Sequence, residues 1–221
     1  MLSFFSYGQD YNDVLMIDGT SGWRNWVQNY GKCTGNKYFK TIKYAKKTFS
    51  NTLDVYHIKT AECPGAAPFV INDDTAVRAY GMLNAWQYMT GTRETSRWRE
   101  SRFGQIAVAN NVDEIVHNNN CDGSAKKGAY YLMSGKIRTP SEFCFLVDNR
   151  MAVNDANAGQ SWSQWHVDGV TNHGFAPCHN GRGNIAYMAG NVASRSTAEA
   201  YAGAMRIKGG LSIDGYVVTY P

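Results

Sequence analysis

Long apolar runs are missing from this chain of 221 residues; the most apolar, Phe143-Cys144-Phe145-Leu146-Val147, has only the length of a strand. A membrane-spanning helix needs about 20 consecutive apolar residues. Met1 is followed directly by Leu2-Ser3-Phe4-Phe5, without the basic and apolar stretches of a secretory leader. As written, the chain reads as soluble. No C-x-x-C pair occurs among Cys33, Cys63, Cys121, Cys144 and Cys178, which argues against a zinc ribbon or a thioredoxin-like motif. G-x-G-x-x-G, phosphate-loop and G-x-S-x-G sequences are missing too, and with them the signatures of dinucleotide sites, nucleotide sites and nucleophile elbows.

What is present points to a folded body. With 43% hydrophobic and 18% charged residues the chain can bury a core and is not a disordered tail. Its 22 glycines, with many Asn and Ser, suggest a loop-rich domain containing β-structure. The net charge of +4 is spread out, and its densest part is Lys40, Lys43, Lys46 and Lys47. These lysines read as the solvated face of a short helix. No nucleic-acid module accompanies them, so no nucleic-acid partner is expected. Cys144 lies in the most apolar run and reads as a small core residue. Cys33 and Cys63 both lie in loop-like sequence and could bridge, but spacing leaves the pairing open.

Along the chain, residues 1–10 read as the last turns of a helix with Leu2, Phe5 and Gln9 on one side, broken at Tyr11-Asn12-Asp13. Trp23 and Trp26 suggest a short helical turn in a loop-rich stretch. Residues 73–91 suggest a helix with Ala76, Ala79, Tyr80, Leu83 and Trp86 on its apolar side, weakened by Gly81. Asn118 to Gly128 reads as an exposed loop. A continuous apolar strand over 142–148 suits a central position buried on both faces, and 151–182 is polar and loop-like. Strands at 184–188 and 191–195 flank Ala189-Gly190, a hairpin in which Gly190 supplies the positive φ. Ser196-Thr197-Ala198-Glu199 is a capping-box pattern for a helix over 197–206, ended by Gly209-Gly210, with a closing strand at 212–220. The whole predicts one α+β domain with a mostly antiparallel sheet.

Three constellations could carry chemistry. His166, His173, Cys178 and His179 form a metal-like cluster whose spacing fits no common zinc pattern, and structural histidines are the preferred reading over a transition-metal site or a metalloenzyme on His166, His173 and His179. Cys178 and His179 are adjacent, so in extended chain their side chains point apart and make a poor nucleophile and base. Asp148, Asn149, Asp155, Asn157 and Asp168 offer oxygen ligands of the kind calcium takes, with solvated loop residues as the plainer reading. Separately, Trp23, Trp26, Trp162 and Trp165 could stack on polysaccharide, with core packing as the alternative.

At Pro177-Cys178-His179-Asn180-Gly181-Arg182-Gly183-Asn184-Ile185-Ala186-Tyr187-Met188-Ala189-Gly190-Asn191-Val192 the sequence resembles the prepilin-type family with the H-X9-DG motif. Nine residues separate His179 from Ala189-Gly190. Two positions depart from the pattern: Ala189 stands where the family has Asp, and Asn191 where it has His. Leu2 to Asp13 resembles the end of the family's long first helix and its exit. Glu62-Cys63-Pro64 resembles the Cys-Pro after the first variable region. Ile137-Arg138-Thr139-Pro140-Ser141-Glu142, followed by an apolar strand and Asp148, resembles the approach to the family's central strand. Residues 85–130 match nothing in it.

The resemblance implies a pilin-like fold over residues 1–221, a single pseudopilin-like head with an N-terminal helix (1–12) packed on a mostly antiparallel sheet with long loops, the sheet region with the motif spanning 131–221. It implies a non-catalytic structural subunit of a type II secretion pseudopilus or type IV pilus-like filament, with a surface-displayed glycan-binding head as the alternative. The expected partners are other pilin-like subunits, the secretion machinery and the bacterial inner membrane, reached through a helix upstream of Met1, with the head in the periplasm or on the cell surface. His179 and Gly190 carry the motif. Asp148, Asp168 and His179 are the candidate metal residues, with calcium as the ion and no other cofactor expected.

Overall fold

The structure is a computed structural model, and it describes residues 2–11, 13–18, 26–27, 30, 34, 36–47, 52–58, 80–83, 93–104, 130–155, 158–159, 161, 164–167 and 173–221. Helix α1 (Leu2–Asp10) opens it. Side chains three and four apart share a helical face, and Phe4, Tyr7 and Gly8 are buried with Tyr11 half-buried beside them. This stripe differs from the one expected from Leu2, Phe5 and Gln9: Gln9 is exposed. The face is selected by its aromatic partners. The Phe4 ring centroid lies 5.4 Å from Trp26, 5.3 Å from Tyr30, 4.9 Å from Phe39 and 5.1 Å from Phe145. A helix of nine residues is marginal alone in water, so this packing is what holds it. Its end is where the sequence suggested, with Asp13 at φ 62 and its N–H donating to the Gly8 carbonyl at 2.8 Å.

Strand β1 (Val14–Asp18) then pairs antiparallel with β5 (Tyr130–Met133). Strands β2 (Thr41–Lys47) and β3 (Thr52–Ile58) form a two-stranded antiparallel sheet. The larger sheet has the order β11 (Val192–Arg195), β10 (Gly183–Tyr187), β6 (Cys144–Val147), β4 (Gly81–Leu83), β8 (Gln164–Trp165). A second sheet runs β13 (Val217–Thr219), β12 (Gly209–Leu211), β9 (His173–Phe175), β7 (Asn149–Met151). Only β4–β8 and β12–β9 pair in parallel among the described strands. The protein is thus α+β with mostly antiparallel sheets and few helices. Strand β6 occupies the middle of its sheet with all four residues buried, as its unbroken apolar run predicts. Its Phe145 carbonyl accepts the indole N–H of Trp165 at 3.3 Å.

Several expectations are corrected. The segment holding Lys43, Lys46 and Lys47 is strand β2 and not a helix; seven consecutive residues of β3 pair with it, in sequence rich in the Thr, Ile, Val and Tyr that suit strands. Gly81–Leu83, placed in a helix from sequence, is a buried strand because it is captured between β6 and β8. The rest of that expected helix lies mostly outside the described residues, as do Cys33, Cys63, Cys121 and the Asn-rich loop. The polar stretch 151–182 contains short strands, β8 and β9. Helix α2 (Arg93–Phe103) was not anticipated; it packs its buried Phe103 ring 5.6 Å from that of Phe143. Helix α3 (Thr197–Ala202) carries the expected capping box, Glu199 N–H donating to Ser196 Oγ and Ser196 N–H to the Glu199 carboxylate. It stops at Gly203, earlier than expected, and Gly209-Gly210 belongs to β12. The closing strand is a hairpin of β12 and β13 around a turn that reverses the chain. No helix among the described residues is long and apolar enough to cross a membrane.

Candidate functional site

Asp148 follows β6 directly and is fully buried. Its N–H donates to the Asn184 carbonyl at 2.9 Å, and its own carbonyl accepts from Ala176 N–H at 2.9 Å. The carboxylate is fixed as well: Oδ2 accepts the Asn184 N–H at 2.6 Å. Ala176 begins the loop after β9, and this loop carries Cys178 and His179. Asn180 at φ 51 and Gly181 at φ 77 form its tip, with His179 N–H donating to the Arg182 carbonyl at 2.8 Å and Arg182 N–H returning to the His179 carbonyl at 3.0 Å. Positive φ at both central residues is the geometry of a two-residue type I′ hairpin turn, for which Asn-Gly is the favoured sequence.

The expectation drawn from adjacency does not hold here. Cys178 and His179 do not point apart: their ligating atoms and one carboxylate oxygen of Asp148 all lie within 4.8 Å of one another. His179 Nε2 is 3.3 Å from Asp148 Oδ2, an ion pair whenever the imidazole is protonated. The arrangement can do two things chemically: it can pair an imidazolium with a buried carboxylate, or it can offer sulfur, nitrogen and oxygen to one cation.

Of the residues singled out from sequence, Asp148 and His179 come together and Cys178 joins them. Asp168 and Asn157 lie outside the described residues. His166 is buried after β8 and outside this group, and Asp155, half-buried in the turn after β7, is outside it too. Trp26 and Trp165 are core residues with their indole N–H groups satisfied by the Tyr80 and Phe145 carbonyls, so neither presents a stacking face. Cys144 is buried as expected, and burial pushes its thiol up to about 12, which leaves it unreactive.

The two motif residues do not converge. His179 precedes β10 and Gly190 follows it, so they flank a strand of five residues, about 17 Å long. Gly190 sits at φ 94 in the β10–β11 hairpin, where Tyr187 N–H donates to the Asn191 carbonyl at 2.9 Å. Its Cα faces α1: a Cβ built there would lie 3.5 Å from the Phe5 ring. Arg182 links the His179 turn to the neighbouring helix, its guanidinium 2.8 Å from both the Glu199 carboxylate and the Ser194 carbonyl. The Ser196 backbone N–H, with Arg182 adding, holds the Glu199 carboxyl below its ordinary range. Beside it an open cleft of about 440 Å³ is lined by Glu142, Tyr187, Arg195 and Glu199 among others. Comparison with family models, curated proteins and solved structures found no match to this chain.

Proposed function

We propose that the chain is the head of a pseudopilin-like filament subunit, a structural and non-catalytic part of a type II secretion pseudopilus or a type IV pilus-like assembly. The observation that carries this reading is the seat of α1: Phe4 packs 5.1 Å from Phe145 on the central strand β6, and Phe5 lies against the Gly190 turn. An N-terminal helix packed against a mostly antiparallel sheet is what such a head needs if it is to hang from a helical rod. In this reading α1 ends a longer helix whose apolar part sits in the inner membrane, with sister subunits packing alongside. The head then faces the periplasm or the cell surface.

The test is the gene. An in-frame upstream segment of about 20 apolar residues behind a short basic leader is the expected result. A reading frame that starts at Met1 with no such segment overturns the proposal. The glycan-binding alternative loses Trp26 and Trp165 to the core, and no observation favours it.

A further inference from the structure

We propose that Asp148, Cys178 and His179 bind a zinc ion that pins the 176–182 turn to the end of β6. Three donors of the kinds zinc prefers lie within 4.8 Å of one another. In a tetrahedral site with metal–nitrogen and metal–oxygen bonds of about 2.0–2.2 Å, adjacent donors stand roughly 3.3–3.6 Å apart. The observed separation of His179 Nε2 and Asp148 Oδ2 is 3.3 Å.

A second observation points to a ligand. Among the described residues Asp148 Oδ1 accepts no hydrogen bond, although the side chain is 0% exposed. The histidine and the Asn184 N–H both address Oδ2. A simple imidazolium–carboxylate pair therefore leaves the other oxygen of a buried charge unmet, which costs stability. A divalent ion at the carboxylate compensates that charge directly.

The donor set selects the metal. Calcium takes six to eight oxygen ligands, whereas this group supplies a single carboxylate beside a thiol and an imidazole. Thiolate and imidazole suit zinc. The ligands are held from both sides: Asp148 by the Asn184 and Ala176 hydrogen bonds, Cys178 and His179 by the Asn180-Gly181 turn. His179 is 35% exposed, so the fourth position opens toward solvent and is filled by water. Binding releases the Cys178 thiol proton to solvent as the thiolate forms.

The test uses the full chain, stripped with a chelator and titrated with Zn²⁺, and with Co²⁺ as an optical probe. One zinc per chain and a thiolate-to-cobalt charge-transfer band are expected, with affinity falling at least about tenfold in Cys178→Ser and in His179→Ala. Cys33, Cys63, Cys121 and Cys144 remain in Cys178→Ser, so a band or an affinity unchanged in that variant overturns the proposal. Absence of zinc binding by the unmodified chain overturns it too, as does a thermal stabilisation by Ca²⁺ that equals that by Zn²⁺. Both variants are at partly exposed positions, so the outcome does not depend on whether Asp148→Asn folds. The proposal stands apart from the filament reading: a gene without an anchor segment would leave it untouched.

Discussion

Around Phe4, the rings of Tyr30, Phe39 and Phe145 meet it at steep angles of 66–88°. From Gly183 to Ala202, by contrast, the chain is shaped by backbone groups: a glycine turn, a two-strand register and a reciprocal cap. The first region gathers residues far apart in sequence, and its energy lies in apolar area and ring geometry. The second is assembled from neighbours, and each of its devices contributes only about 1 kcal/mol. A change in the first region should therefore cost several times what a change in the second does.

Phe4→Ala is the hardest blow to that contrast. Removing a buried ring that touches four others should cost about 3–5 kcal/mol, read as a fall in the urea midpoint at constant slope. A loss below that of any hairpin variant would erase the distinction between the regions. Gly190→Ala comes next: φ 94 strains any side chain, and about 1–2 kcal/mol is expected from chemical unfolding. The adjacent exposed Ala189→Asp, which restores the motif's residue, should stay within about 0.5 kcal/mol. Ser196→Ala removes half of the capping box and should cost about 1 kcal/mol, visible as a lower thermal midpoint.

The smallest effect is one of pH. Glu199 is held below its ordinary value of 4.5 by the Ser196 N–H. A carboxyl depressed in the folded state stabilises at pH above its unfolded value, and that contribution disappears as pH falls through the folded value. Thermal midpoints measured from pH 5 downward should thus fall less steeply in Glu199→Gln than in the parent chain. Equal slopes would mean that the cap carries no charge-dependent part.

The same contrast decides what could be read from sequence. The β10–β11 hairpin, the capping box and the central apolar strand were legible because each is written in consecutive residues: Gly190, Ser196 with Glu199, and Phe143 to Val147. The stripe on α1 was not, since a short helix with apolar residues at 2, 4, 5 and 7 is oriented only by Trp26, Tyr30 and Phe39, which arrive from elsewhere. Gly81–Leu83 looked helical for the same reason: its partners Leu146 and Trp165 are distant. At the candidate site, Asp148 and His179 were named from sequence. Cys178 was not legible, because adjacent side chains diverge in extended chain and only the folded backbone brings its thiol near His179 and Asp148.

The run from Cys144 to Met151 serves two masters. Its first half is the middle of the larger sheet and its second half an edge of the smaller one, with Asp148 hooked to Asn184 on one side and Ala176 on the other. Neither sheet can fray at this point without dragging the other, so solvent deuterium should reach the amides of Leu146, Asp148 and Arg150 at closely similar rates, the mark of one cooperative opening unit.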